Sequence, residues 1–477
     1  MAFAEPSSLP ATMENQLRSR CEKAFSASPN LEDLAAARAL IINPATSVSS
    51  LSSLLEALGR FIHLRADPHL IQRALMILHD LAFNHTHFSP LVFDLVRRCP
   101  LLDSTSTRLA AQSLSLVSTV ADSDRSLAPV MEEIGERLFL SLSFRPSVSV
   151  RYWLLFNAGK FFVRPSVLLT VLLGFTTDPY PYVRRVALDG LVRLSNAVVF
   201  EDRALIEGCY CRAVELQRDT EDCIRLSAIR AVFELGLKLM ALHEEKSRRD
   251  WSTLVFIQLC CMVRDMSMMV RVEAFNALGK MEMIPDCVLL QTLSKRVLGT
   301  AKEEKNLVPC FMKELEKQAR SIAGAFAHGL EDEFYEVRSC ACRSLRTLTN
   351  LSSKFAGEAL NMLMDVLNDD SMVVRLHSLE AINQIATHGY MKVQEIHMDM
   401  FLGTLLDNST LIRTETRKIL RSVKLPNINV FKSCVDGLLQ NLEIYSKDEA
   451  DIFSLLFKIG RAHGNFIPPI IKVFFPE

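Results

Sequence analysis

Apolar residues along this chain recur three and four positions apart, in blocks of roughly ten to fifteen residues separated by short polar turns, which is the signature of helices buried on one face. Leu51 to Leu64, Leu70 to Ala82, Leu91 to Arg98 and Thr107 to Val120 follow this rule. So do Ala187, Leu188, Leu191 and Leu194 after Arg184, and Cys342, Leu345 and Leu348 after Arg338. Strand-like alternation of apolar and polar positions is almost absent. The pattern predicts an all-α chain.

A second, longer period overlies the first. An Asp is followed five residues on by an aliphatic residue, six on by Arg and nine on by a small residue. Close copies are Asp178, Val183, Arg184, Ala187; Asp219, Ile224, Arg225, Ala228; Asp265, Val270, Arg271, Ala274; and Asp332, Val337, Arg338, Ala341. Looser copies are Asp369, Val374, Arg375, Ser378 and Asp407, Ile412, Arg413, Thr416. A degenerate copy has Arg145 in the Asp place, with Val150 and Arg151, and a weaker trace lies near Asp67 and Arg73. The steps between arginines are close to the roughly 40 to 47 residues of HEAT-type units. Between Arg271 and Arg338 the step is far longer and requires an insertion or one extra repeat. Such periodicity predicts an α-solenoid of HEAT or armadillo-like repeats, an ARM-type superhelix.

Each offset has a physical reading. The Asp is expected to N-cap the second helix of each pair, accepting backbone N–H bonds at the positive end of the helix dipole. The aliphatic and small residues, four apart, share the buried face, and the small one admits a close partner helix. The Arg flanks that face, with a planar head suited to the carboxylate of an adjacent repeat. Asp178, Arg184, Asp219, Arg225, Asp265, Arg271, Asp332, Arg338, Asp369, Arg375, Asp407 and Arg413 are therefore expected to form a structural ladder rather than a phosphate-binding stripe.

Along the chain, residues 1–29, rich in Ser, Ala and Pro, read as a partly ordered leader, with helical periodicity starting at Leu31. Divergent repeats follow over 30–150 and clearer HEAT repeats over 151–294. A charged insertion spans 295–320, where AKEEKNLV and KELEKQAR suggest an exposed loop and a solvated helix. HEAT repeats resume over 321–477. The last residues, from Phe466 through Ile467, Ile470, Ile471, Val473, Phe474 and Phe475, are apolar where a terminal repeat should be polar. They read as the cut edge of a longer array or, as the alternative, as an interface.

Composition narrows the function. Lys and Arg number 54 against 55 for Asp and Glu, a net charge of −1, so no global field draws the chain to nucleic acid or an anionic membrane. The richest apolar stretches, Ser166 to Phe175 and Trp251 to Val263, fall short of the roughly 20 residues of a bilayer span. No secretory signal is visible, and the twelve cysteines are scattered, as expected in a reducing compartment. Cys209 with Cys211, Cys260 with Cys261 and Cys340 with Cys342 lie in amphipathic helices without paired histidines, and read as core or seam residues rather than zinc ligands. His85 and His87, in the turn FNHTHFSP, lack a carboxylate cluster. The basic clusters Lys246, Arg248, Arg249 and Arg417, Lys418, Arg421 read as solvated faces. No phosphate loop, dinucleotide fingerprint, nucleophile elbow or HExxH helix is present. No catalytic residue, metal or cofactor is expected.

GAFAHGLEDEFYEVRSCACRSL at Gly324 to Leu345 goes beyond the generic repeat and resembles the Integrator complex subunit 4 family, most of all its plant branch. LNDDSMVVRLHSLEAINQIA at Leu367 to Ala386, KLPNINVFKSCVDGLLQNLEIY at Lys424 to Tyr445 and ARALIINP at Ala37 to Pro44 carry the same likeness. The resemblance implies a non-catalytic scaffold of a nuclear cleavage module. Its partners would be two metallo-β-lactamase-like subunits that process small nuclear RNA. For the plant branch it implies, as an alternative, an adaptor that binds mobile transcription factors and aids their intercellular movement in association with endosomes. Family members extend further, into a C-terminal region that holds the nuclease pair.

Overall fold

A computed structural model describes residues 11–27, 29–63, 67–99, 107–196, 202–296, 322–391 and 393–466. Among the described residues there are α-helices and short 3-10 turns and no strands. The chain divides into two compact units, Met1–Phe200 and Glu201–Glu477. The segment borders read from sequence at 150 and 294 fall inside these units.

Unit 1 contains α1 (Ala11–Ser26), α2 (Leu31–Ile42), α3 (Val48–His63), α4 (Pro68–Asn84), α5 (Ser89–Arg98), α6 (Thr107–Ser123), α7 (Ala128–Ser143), α8 (Val148–Phe156), α9 (Pro165–Phe175) and α10 (Pro181–Ser195). The even-numbered helices stack on one another in order, and α1 packs on α3, so the helices form two layers. Starts are set locally: Asn30 and Asp33 close a reciprocal capping box on α2, and Pro occupies the first turn of α4, α5, α7, α9 and α10. Phe161 is fully buried between Phe139 and Trp153, with ring centroids at 5.8 and 6.2 Å. Close approach is strict at Gly135 of α7, where a Cβ would lie 2.1 Å from the Phe161 carbonyl oxygen.

Unit 2 contains α11 (Arg203–Leu216), α12 (Asp222–Ala241), α13 (Glu245–Cys261), α14 (Met268–Leu278), α15 (Asp286–Leu293), α16 (Ala325–Leu330), α17 (Tyr335–Leu348), α18 (Ser353–Asp365), α19 (Met372–Thr387), α20 (Glu395–Leu405), α21 (Thr410–Ser422), α22 (Ile428–Ile444) and α23 (Glu449–Ala462). The second helices of the pairs, α12, α14, α17, α19, α21 and α23, stack in succession. The motif's aliphatic and small positions, such as Val270 with Ala274 and Val337 with Ala341, are fully buried at these contacts. The hydroxyls of Ser378 and Thr416 at the small position bond the carbonyls of Leu363 and Ile412, at 2.6 and 3.0 Å, so burial leaves neither without a partner.

Three features differ from the sequence pattern or answer a question it left open. The stretch placed in a leader supplies α1, whose Cys21 and Phe25 are buried, Phe25 lying 5.8 Å from the ring of Phe61. Periodicity missed it because charged Arg18, Arg20, Glu22 and Lys23 dominate its composition. Across the long step between Arg271 and Arg338, α14 packs directly on α17. The insertion read over 295–320 falls outside the described residues from 297 onward, as does the apolar end from 467. No described helix is long and apolar enough to cross a membrane.

Candidate functional site

The repeated Asp and Arg converge on one geometry in every copy. The arginine stands in the first turn of the second helix, and its Nη1 turns back to the loop that precedes that helix. Arg184 Nη1 donates to the carbonyls of Asp178 and Pro179 at 2.9 and 3.1 Å. Arg225, Arg271, Arg338, Arg375 and Arg413 repeat the bond to the carbonyl six residues earlier, at 2.8 to 3.0 Å. The degenerate copy does the same: Arg151 Nη1 bonds the carbonyls of Arg145 and Pro146.

The other edge of the guanidinium faces the next repeat. Arg225 meets Asp265 through two hydrogen bonds of 2.7 and 2.8 Å. Arg338 meets Asp369 at 2.7 and 2.9 Å, and Arg375 meets Asp407 at 2.8 and 3.0 Å. Arg271 lies 2.8 Å from Asp332 across the long sequence gap, and in unit 1 Arg151 lies 3.0 Å from Asp178. One planar, five-donor head thus closes its own turn and clamps its neighbour, which the point charge of lysine could not do in two directions at once. The guanidinium also lies over the ring of Tyr180 from Arg151 and of Phe334 from Arg271, at 5.9 and 5.5 Å.

The aspartates are not N-caps, as the sequence suggested. The cap residue lies two positions later, at Tyr180, Glu221, Ser267, Phe334, Ser371 and Ser409. Each Asp accepts the N–H of that residue on Oδ1, at 2.7 to 3.0 Å. This Asx turn explains the offset: a true cap would spend its oxygens on its own helix, whereas the turn leaves one edge of the carboxylate to the preceding arginine. Burial works against ionisation of Asp369, yet hydrogen bonds from Arg338 and the Ser371 amide hold its carboxyl below the ordinary value. Arg338 is raised in turn, chiefly by its bond to Asp369.

The last described rung departs most from expectation. Arg413, 4% exposed, meets Asp448, 6% exposed, at 2.6 Å, and lies 3.7 Å from the centre of the Tyr445 ring. Arg417, read as part of a solvated basic face, is instead buried: it bonds Asp448, Asp451 and Asn441 at 2.9, 2.5 and 3.2 Å. Arg421 also reaches Asp451. Burial raises the carboxyls of Asp448 and Asp451, but bonds and charge from these arginines outweigh it and lower both. Asp448 escaped the motif search because Phe453 and Ser454 stand where an aliphatic residue and Arg would follow. The visible signal for Arg417 is its place one turn after Arg413.

A second row of contacts, also missed, runs along the exposed side of the stacked helices of unit 2. Arg230 pairs with Glu273 at 2.8 Å, Arg346 with Glu380 at 2.8 Å, and Asn383 bonds Glu415 at 2.8 Å. Arg230 and Glu380 stand five residues beyond a motif arginine, a spacing the sequence does show. Elsewhere, Cys209, Cys260, Cys340 and Cys342 are buried, and burial lifts the Cys209 thiol to about 11. His85 Nε2 bonds the Ile41 carbonyl at 2.8 Å. Among the described residues no group of His, Cys, Asp and Glu is placed to hold a metal ion. Lys246 and Arg249 are exposed, while Arg248 donates to the Met240 carbonyl.

No protein-family model matches the chain. Protein SIEL of Arabidopsis thaliana is 43% identical over 454 residues, covering 93% of this chain and 48% of SIEL. Integrator complex subunit 4 of Homo sapiens is 27% identical over 331 residues, covering 62% of this chain and 33% of that protein. The Drosophila melanogaster subunit is 28% identical over 287 residues, covering 54% of this chain and 28% of its own length. The chain therefore spans about half of SIEL and about a third of the Integrator subunits. Among solved structures, Kap121p bound to RanGTP matches with a TM-score of 0.51 at 13% identity, over 97% of this chain and 51% of Kap121p. Kap121p bound to Pho4p matches with a TM-score of 0.50 at 12% identity, over 99% of this chain and 48% of that one. At such identities the likeness is one of fold, and the fold is an α-solenoid. By sequence this chain is similar to SIEL over nearly its whole length and to Integrator complex subunit 4 over somewhat more than half of it.

Proposed function

We propose that the chain is a non-catalytic scaffold of the Integrator type. In this reading it supports the cleavage module in the nucleus, and through it small nuclear RNA 3′-end processing and transcription regulation. The observation that carries this is its similarity to Integrator complex subunit 4 in animals as distant as fly and human. The ladder supports it physically: the polar side chains with the most elaborate bonding are used to hold repeats in register, which suits a surface-presenting protein rather than an enzyme. The test is affinity purification of the tagged chain from its native cells. Recovery of the two metallo-β-lactamase-like Integrator subunits, with accumulation of unprocessed small nuclear RNA on depletion, is the expected result. Absence of both would overturn the proposal.

A second reading, favoured by the higher identity to SIEL than to the animal subunits, is an adaptor for mobile transcription factors that promotes their intercellular movement via endosomes. Recovery of transcription factors and endosomal proteins without the nuclease pair would select it.

A further inference from the structure

A groove runs between α2 and α4, which pack against each other in the stacked layer of unit 1. These helices run parallel and in register, since Arg38 meets Asp80 at 2.7 Å and the Ile41 carbonyl meets His85 at 2.8 Å. Between them lies a recess of about 240 Å³ lined by Leu31, Leu34, Ala35, Arg38, Arg73, Met76 and Ile77. Leu34 and Ile77 form its buried floor. Leu31 is 62% and Met76 37% exposed, and along the same two faces Ile42 and Phe83 are 53% and 47% exposed. Leu31, Ala35, Arg38 and Ile42 repeat at four, three and four residues, as do Arg73, Met76, Asp80 and Phe83 at three, four and three, so two half-apolar stripes face solvent side by side.

Charge says what kind of occupant fits. The two stripes carry Arg38, Arg73 and Asp80. The ion pair neutralises Arg38 and Asp80, while Arg73 has no carboxylate partner among the described residues. One unbalanced cation beside an apolar recess suits a segment that presents aliphatic side chains and a carboxylate together. It is too little charge for a nucleic-acid backbone, which needs several cations along its track. Two parallel helices also offer the shallow trough into which a third helix lays its apolar edge.

We infer that the α2–α4 groove is a docking site for an acidic amphipathic helix of a partner protein, with aliphatic residues on Leu31, Ala35 and Met76 and a Glu or Asp paired with Arg73. This does not rest on the Integrator reading. The probes are two labelled synthetic helical peptides with the same leucine stripe, one flanked by glutamates and one by lysines, titrated onto the full chain by fluorescence anisotropy. The glutamate peptide binds on the order of tenfold more tightly than the lysine peptide. Arg73→Glu reverses that preference, the milder Arg73→Gln removes it, and Leu31→Glu or Met76→Glu abolishes binding of both peptides. All three positions are solvent-facing, so helical circular dichroism and thermal unfolding stay unchanged. Equal affinity of the two peptides, a preference that survives Arg73→Glu, or binding untouched by Leu31→Glu would overturn the assignment. So would concentration-dependent self-association dissolved by Leu31→Glu, which would give the groove to a second copy of this chain.

Discussion

In unit 2, five successive arginines, Arg225, Arg271, Arg338, Arg375 and Arg413, each clamp an aspartate of the following repeat. In unit 1 the described residues of the corresponding layer include the rung of Arg151 with Asp178, and Leu31, Ile42, Met76, Phe83, Tyr152 and Phe156 are exposed. Stacked repeats can be kept in register by directional charge or by shape alone. Apolar packing tolerates sliding more readily than bidentate ion pairs do. Both layers keep apolar side chains in solvent, Tyr335, Leu411, Phe453 and Phe457 among those of unit 2, so the ion pairs add register without making the face polar.

Removing the strongest element from each unit tests this contrast most severely. Arg417→Ala removes the buried cation that Asp448 and Asp451 share, and because Arg413 and Arg421 remain it is expected to cost about 3 kcal/mol, the low end for a broken buried pair. Phe161→Ala removes a fully buried ring from unit 1 and is expected to cost about 3–5 kcal/mol, through lost transfer energy and a cavity. Amide hydrogen exchange should localise the first loss to α21 through α23 and the second to α7 through α9, because repeats depend on nearest neighbours. Loss spread evenly over both units would contradict the division. Next in size is Arg338→Ala, at about 1–3 kcal/mol, with Arg338→Lys recovering little of it. A double-mutant cycle with Asp369→Asn should return a coupling energy of roughly 0.5–3 kcal/mol, and zero coupling would remove the rung from the account.

Much of this was legible because periodicity survives in single residues. The offsets from Asp178 and Asp332 placed the turn, the buried face and the arginine on sequence alone. The true cap position was not legible, because an N-capping Asp and an Asx-turn Asp look alike until the next residue's N–H is placed. Arg417 was misread for a different reason. Beside Lys418 and Arg421 it looks like a solvated basic run, and only the fold brings Asp448 and Asp451 against it. The groove of α2 and α4 was hidden as well, since Leu31 and Met76 resemble core positions until the neighbouring helix shows which side stays open.

Acid should separate the units further. Asp369, Asp448 and Asp451 are all lowered in the folded chain. Their contribution is whole above the unfolded aspartate value, about 3.9, and is lost as pH falls through the folded values. Unit 1 also has a lowered carboxyl in Glu136, drawn to about 2 chiefly by its hydrogen bonds from Arg164. That pair stands in solvent, with Arg164 73% exposed, so its protonation frees little. Exchange protection in α17 through α23 should therefore fall before that of α1 through α10 as pH drops from about 4 towards 2, and Asp369→Asn should blunt the loss locally. Simultaneous loss in both units would mean that the ladder is not what acid attacks.

The smallest effect is the most discriminating. Arg38 and Asp80 make a contact of 2.7 Å, as short as that of Arg338 and Asp369, but Arg38 is 45% exposed against 12% for Arg338. Equal shortest distance with unequal burial separates distance from environment. In water, Coulomb attraction is screened and the ordering of two long side chains offsets most of it, so Arg38→Ala should change stability by about 0–1 kcal/mol. Arg338 also bonds two carbonyls of its own loop, which no water replaces as cheaply once the helix is packed. If chemical unfolding gave Arg38→Ala the same cost as Arg338→Ala, short contacts alone would suffice to lock a repeat. The groove of unit 1 would then be as rigidly held as the ladder of unit 2, and its exposed apolar edge would need an explanation other than freedom to receive a partner.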